Sequence, residues 1–562
     1  MRMPRIIWDL YRLLKYPKHH LSIWRDYLQT RSDVGFMRRV KEKTSNNKKI
    51  AIVVSMTEFV FQLKLESLLA LALKMDGWHV IVLTNNAQNI WARRFFEAFG
   101  LTEFYDWDEI KITDLQKERC TQYSERLLAD IDLDFKKVKS WSYQESWVGP
   151  QILSSVARET HKGAPDIKDP GVLARMHELL PQTLERVEKA KLLIEKLRPD
   201  FMFGIEANYA LMGPIVDQAI AAGVSFAQVV QPSRDDALII RRLNTNNRRM
   251  HPNTLTTDSF EWISKNIQWT EERENELMEE FDNRYGGKWF LQSRNQVNTI
   301  EKSIIEIQNQ LDLDPYKKTA AIFSHVLWDA NLFYGEDIFL DYEDWFVQTL
   351  KAACNNSNIN WIVKLHPANL WKRARDSVEG ELAEEALIRE HIGILPGHVK
   401  LLMPDTDIST RSLFALIDYG LTVRGTVGME LPCFGKLTFT AGTGRYSGFS
   451  FTNDSHTVEE YLQKISKMHT FKPMESEKII IAKKFAYGVF KFRPFVLKSC
   501  RCTFRYEKLG HHPLDHNLSI IAKTLAEVEN NGDLLKFSAW VNDPKLIDYM
   551  DIKSDDSMPI MG

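Results

Sequence analysis

Short apolar runs without helical period alternate along this chain with longer amphipathic stretches, and that alternation predicts strand–helix–strand crossovers. Lys49–Met56 (KIAIVVSM) reads as a buried parallel strand, Leu63–Met75 as a helix ended by Gly77, and His79–Thr84 (HVIVLT) as the next strand. The middle of the chain continues the pattern. Leu173–Leu197 is a long helical stretch interrupted by Pro181, Phe201–Ile205 a strand, Leu211–Ala222 a helix closed by Gly223, and Val224–Val230 a strand. From about Glu274 to Lys317 the pattern turns polar and helical, with Gly286-Gly287 as a break. A second series then starts: strand Thr319–Ser324, helix Tyr342–Ala353, strand Asn360–Leu365, strand Val399–Met403, helix Phe414–Tyr419, strand Leu437–Thr440. Repeated strand–helix–strand order demands right-handed parallel crossovers.

The length of 562 residues exceeds what one hydrophobic core serves. The expectation is therefore an α/β chain with two Rossmann-like doubly wound domains facing a cleft. A basic helical arm spans 1–48, a first domain 49–285, a helical linker 286–317, a second domain 318–485, and C-terminal helices cross back over 486–562. The first βα turn lacks G-x-G-x-x-G, which disfavours an NAD(P) enzyme. Ligands of such sheets bind at the carboxyl ends of the strands, so the loops there are where chemistry is sought.

Composition narrows the classes. Net charge is −2, with 44% hydrophobic and 26% charged residues, so no basic field recruits nucleic acid. Cys120, Cys354, Cys433, Cys500 and Cys502 are few and scattered, which argues against a disulfide scaffold and for a reducing cytoplasm. The spacing of Cys500 and Cys502 is poor for zinc, and no metal site is expected. No apolar run reaches the ~18–20 residues of a membrane span, and the N-terminus lacks the pattern of a signal peptide. Between Met1 and Lys49, however, Lys and Arg far outnumber Asp and Glu, and Trp8, Tyr11, Tyr16, Trp24 and Tyr27 are interleaved with them. Such a segment suits an anionic membrane surface, here the inner face of the plasma membrane; the alternative is a solvated arm on the protein's own domain.

Three segments can carry chemistry. In Trp361–Asn369 (WIVKLHPAN) a buried strand delivers Lys364, His366 and Pro367 at its carboxyl end, a cation and an imidazole suited to a phosphate. A strand-end histidine capping a carbonyl is the competing reading. In Asp405–Ser412 (DTDISTRS), Ser409 and Thr410 have the form of a helix cap, and a helix start also receives phosphate. In Thr422–Lys436 (TVRGTVGMELPCFGK), Gly425 and Gly428 permit close backbone approach around Thr426, beside Arg424, and Glu430 on the first helical turn can hold a ribose diol. Arg445 and Tyr446 follow in a glycine-rich loop.

The order KLHP, DIST, RGTVGMELPCFGK, GRYSGFSFT and AYGVFKFRP, over about Thr319–Pro494, resembles the capsule and surface-polysaccharide biosynthesis glycosyltransferases of GT-B fold, among them bacterial capsule Kdo transferases. The His-Pro pair is shared with bacterial transferases that use CMP-activated sialic acid or Kdo. The resemblance implies a metal-independent transferase with no cofactor beyond its nucleotide-sugar substrate, moving a sugar to a glycan or glycolipid acceptor. It implies that His366 contacts the donor phosphate and that Ser409, Thr410, Gly425–Gly428 and Glu430 surround the nucleotide. The N-terminal half carries little of it.

The base that deprotonates the acceptor hydroxyl is sought across the cleft. Glu206, after the strand Phe201–Ile205, comes first, Glu58 after the first strand second, and Asp329 third. His325 and Trp328, in SHVLWDANLF, are read as substrate-positioning. Two other functions stay open: CDP-polyol phosphotransfer or nucleotide-sugar epimerisation, for which Arg241, Arg242, Arg248, Arg249 and His251 offer a second phosphate site, and a non-catalytic assembly scaffold. The cluster Trp141, Tyr143, Trp147 is read as a satellite core before a sugar platform.

Overall fold

The computed structural model describes residues 11, 13–39, 49–57, 59–85, 91–231, 234–293, 295, 298–328, 332–376, 378–505 and 515–552. Glu58 and Asp329 lie outside them.

Two sheets organise the chain. The first contains β1 (Ile50–Val54), β2 (His79–Thr84), β3 (Phe104–Asp106), β4 (Phe201–Gly204), β5 (Ser225–Val230), β6 (Ala237–Leu243) and the late strand β13 (Phe495–Val496). Their order is β13-β6-β5-β4-β1-β2-β3, parallel except where β6 joins β5 and β13 joins β6. The second sheet is parallel throughout: β7 (Thr319–Phe323), β8 (Asn360–Lys364), β9 (Val399–Leu402), β10 (Tyr419–Thr422), β11 (Leu437–Thr440) and β12 (Asn453–Asp454), ordered β12-β11-β10-β7-β8-β9. In each sheet the first strand lies inside and the order reverses beside it, at β1/β4 and at β7/β10. Those switch points open crevices at the carboxyl ends of the strands. This is the doubly wound α/β class expected from the periodicity.

Several elements differ from the expectation. The run expected as a helix over Phe414–Tyr419 is a helix over Thr410–Leu416, and the chain then enters β10 at Tyr419. Four residues including Gly420 are too few to show a period, yet β10 lines the switch point. Strand β6 was hidden by Arg241 and Arg242, whose charges break an apolar run that is nevertheless buried at every position. The C-terminal return begins as a hairpin, β14 (Cys500–Arg505) with β15 (Asp515–Ile520), before the helices Leu525–Asn531 and Asp533–Asn542. Leu518, Ile520, Val528, Leu534, Phe537 and Trp540 enter the core of the first domain.

This return explains why the helix Val60–Met75 is buried from Phe61 to Leu73, polar residues included. One side meets the sheet, and the other is covered by the hairpin and the arm helix Pro17–Asp33. Lys64 bonds Asp26 of the arm and the carbonyl of Leu518.

Candidate functional site

Strand β8 ends at Lys364, and the chain turns at once through His366 and Pro367. That turn is tightly specified. The His366 backbone N–H donates to Ser324 Oγ (2.8 Å), and the Ala368 N–H donates to His366 Nδ1 (3.1 Å). A ring that accepts at Nδ1 carries its proton on Nε2 when neutral, so the imidazole presents a donor on its outer edge. Ser324 and Asn369 both donate to Glu384 (3.2 and 2.8 Å), a carboxyl raised above its usual range by burial. Sequence reading missed Ser324, Asn369 and Glu384. Their signal is only spatial, because Glu384 stands in an ordinary-looking helix, Ala383–His391.

Lys364 itself is 8% exposed. Burial pushes its pKa down to about 8, against a smaller opposing effect of Asp405, and among the described residues its ammonium has no hydrogen-bond or ion-pair partner. A buried cation left in that state is costly, and such groups concentrate where a ligand supplies the counter-charge.

The glycine loop after β10 is held from beneath. Val423 N–H and Thr422 Oγ1 both lie 3.1 Å from His325 Nε2, and Gly425 N–H donates to Thr422 Oγ1 (3.0 Å). His325 stacks on Tyr342 with ring centres 4.3 Å apart. Its pKa falls well below the usual value, first through burial and then through the charges of His366, Arg424 and Arg445. It is thus a buried support of the glycine loop at the β7/β10 crevice, its Nε2 taken up by Thr422 and Val423. Trp328 is buried with Val326 and Ala368 beside the His366 turn, and His161 of the first domain meets its ring edge-on at 4.7 Å.

The remaining expected residues divide. Arg445 is buried and donates to the Arg424 carbonyl (3.0 Å), the Asn253 carbonyl (3.3 Å) and Thr426 Oγ1 (3.2 Å). No carboxylate pairs with it among the described residues, and burial lowers its pKa to about 10. Close by, the Tyr446 hydroxyl and the Asn253 side-chain oxygen are buried without hydrogen-bond partners. Tyr446 lies where any side chain at Gly428 would stand, an added Cβ meeting its ring at 2.0 Å, which fixes glycine there. A cavity of about 440 Å³ opens against Arg445, walled by Met250, Thr257, Phe260, Glu261 and Phe449 among others.

Arg424 and Glu430 are consumed by structure. Arg424 pairs with Asp337 and meets the Tyr342 hydroxyl. Glu430, expected to hold a ribose diol, is buried with one oxygen on Arg284 (2.6 Å) and the other on the Tyr285 hydroxyl. It anchors the helix Glu271–Tyr285 to the second domain. Ser409 caps its short helix, Oγ accepting from the Ser412 N–H (3.0 Å), and is buried, with Thr410 following at the first helical position. Asp407, ahead of it, bonds Lys302 and Gln310.

Across the junction, Glu206 follows β4, half-buried. The Tyr334 phenol is raised to about 12, first by burial, and the charge of Glu206 adds to the shift. Tyr334 also contacts the His251 ring (centres 5.1 Å apart). The loop carrying it is clamped by Arg249, which donates to the carbonyls of Phe333 (3.0 Å) and Gly335 (2.6 Å) and pairs with Glu336. Gly335 and Gly444 pass so closely that a Cβ on Gly335 would meet the Thr443 carbonyl oxygen at 2.1 Å.

The basic group proposed as a second phosphate site is otherwise engaged. Arg241 pairs with Asp548 (2.7 Å), Arg248 with Asp217 (2.6 Å), and Arg242 donates to carbonyls of the C-terminal return. Trp141 and Tyr143 are buried in a core of the first domain, Tyr143 bonding Glu188 (2.6 Å), and Trp147 lies under Arg249.

No protein-family model matches this chain, and no curated protein matches its sequence. Among solved structures it is similar to the β-Kdo 2,4 transferase KpsC of Thermosulfurimonas dismutans, at 13% identity and a TM-score of 0.33, over 63% of this chain and 95% of that one. It is also similar to the UDP-GlcNAc 2-epimerase of Neisseria meningitidis bound to UDP-GlcNAc (11%, TM-score 0.26, 79% and 97%). A third is a glycosyltransferase of Rickettsia africae (9%, TM-score 0.24, 79% and 92%). At these scores function is argued from the site itself.

Proposed function

We propose that this chain is a glycosyltransferase that moves a sugar from a nucleotide-activated donor, CMP-activated in the first instance, to a surface glycan or its lipid-linked acceptor. The observation that carries this reading is Lys364: an ammonium buried at a strand end, without a hydrogen-bond or ion-pair partner among the described residues, two residues before an imidazole that accepts at Nδ1. A phosphate is the ligand that uses both. As the bond between the anomeric carbon and the donor oxygen breaks, negative charge collects on the departing nucleotide. Lys364 and the Nε2–H of His366 stabilise that charge where it develops. Arg445 and the Thr426 hydroxyl offer a second set of donors on the other side of the glycine loop. Glu206, from the opposite domain, takes the proton of the acceptor hydroxyl as its oxygen attacks the anomeric carbon.

The engaged state of Arg241, Arg242 and Arg248 removes the feature that favoured CDP-polyol transfer. The test is a thermal-shift screen of the wild type, His366→Ala and Lys364→Met against CMP, UDP, GDP and CDP compounds. One nucleotide is expected to raise the melting temperature of the wild type, and at least tenfold more of it is needed in either variant, as befits loss of a charge-assisted hydrogen bond. No shift with any nucleotide sinks the enzyme reading and leaves the scaffold. Donor turnover by Glu206→Gln, measured with acceptor present, then tests the base.

A further inference from the structure

The helix Pro17–Asp33 sits on the first domain by one side only. His20, Ile23 and Thr30 are buried, Trp91 donates to His20 Nδ1 (3.2 Å), and Tyr27 packs edge-on against Phe95. At 100° per residue, Lys18, Leu21, Arg25 and Leu28 project from the opposite side, with Trp24 at its margin. Leu21, Trp24 and Leu28 are 57, 43 and 46% exposed. Solvent does not select for large apolar side chains aligned along the outside of a helix.

The charges are sorted as well. Asp26 turns inward to Lys64, and Asp33 is bonded by Gln29 and approached by Lys523. The outward side therefore keeps Lys18 and Arg25 as its charges, and both are exposed. We infer that this face docks on an anionic lipid surface, the leucines and Trp24 entering the headgroup–acyl boundary and the cations meeting lipid phosphates. Apolar stripe and flanking cations together are what such a surface binds. A second copy of the helix fits less well, since Lys18 and Arg25 would face like charges across the contact. The inference goes beyond the transfer reaction and stands without it.

The test is sedimentation of the full chain with vesicles of phosphatidylcholine alone or mixed with phosphatidylglycerol, at low and high salt. Binding to the anionic vesicles is expected to be at least about tenfold tighter at low salt and to weaken as salt screens it. Leu21→Glu/Leu28→Glu and Lys18→Glu/Arg25→Glu should each reduce it by about tenfold or more while thermal unfolding stays unchanged. The charge-reversal pair leaves the stripe intact and so keeps the test decisive should the leucine variants misfold. Equal binding to both vesicle types, or undiminished binding by the charge-reversal pair, overturns the proposal. So does a dimer of the wild type that the leucine substitutions dissolve, which would assign the face to a second copy.

Discussion

Two groups of buried cations lie on either side of the domain junction. Around β6 and the C-terminal return, Arg241 and Arg493 share Asp548, Arg248 holds Asp217, and Arg242 is wrapped by carbonyls. At the strand ends of the second domain, Lys364 and Arg445 are equally buried but meet no carboxylate among the described residues. Both groups read as basic in the sequence, and the arginine cluster is the more conspicuous. The difference is what each has already bonded. The first group fastens a distant stretch of chain to the sheet; the second keeps its charge without a carboxylate among the described residues, as the proposed donor site requires.

The largest effect expected from breaking this contrast is on the paired side. Burial alone would raise the Asp548 carboxyl, but Arg241 and Arg493 overcome it and bring the pKa down to about 2. Asp548→Asn leaves two guanidiniums buried without their counter-charge. It should cost about 3–5 kcal/mol in denaturant unfolding, the range for breaking a buried pair from one side. Nucleotide binding by the molecules that remain folded should not change.

On the unpaired side the sign reverses. Lys364→Met removes a cation that the fold disfavours and should stabilise the chain by roughly 3 kcal/mol near neutral pH, the equivalent of its depressed pKa. The same variant should lose the nucleotide-dependent shift. The gain depends on pH in a definite way. Below about 8 the ammonium is charged in both folded and unfolded chains and the penalty is whole. From about 8 to roughly 10.4 the unfolded chain holds the proton that the folded chain has lost, so wild-type stability rises with pH. The advantage of Lys364→Met should therefore shrink across that window in chemical unfolding curves. An advantage that stays flat from pH 7 to 10 would mean the ammonium is paired after all.

The smallest effect sharpens the boundary between cap and site. Ser409→Ala removes the bond to the Ser412 N–H and should cost about 1 kcal/mol. If Ser409 serves only as a cap, the nucleotide concentration for half-maximal thermal shift is the same as in the wild type. A large rise in that concentration would return Ser409 to the donor site.

How far these assignments were legible varies by residue. Lys364-Leu365-His366-Pro367 could be located from an apolar run stopped by proline, because strand and turn chemistry are local. Glu430 could not be assigned. Its position on the first turn of a helix fits a ligand contact, but Arg284, 146 positions away in sequence, arrives at its carboxylate in the fold. His325 could be placed at its strand end, but its hold on the loop from Thr422 to Gly425 gave no signal, since that loop leaves β10, a strand too short to show a period. Ser324, Asn369 and Glu384 gave no signal, since their only distinction is meeting one another behind His366.

By itself, then, the sequence determined what local physics encodes. The alternation of apolar runs and amphipathic stretches set two parallel-sheet layers, and glycines and prolines marked the turns at strand ends. Only the tertiary structure decided which charges are spent. Pairing depends on which segments meet, and the C-terminal return brings Asp548 to Arg241 across about three hundred positions. Among the described residues no segment of that kind reaches Lys364. The two cations are indistinguishable by composition, and long-range packing alone makes one of them a rivet and leaves the other without a counter-charge among the described residues.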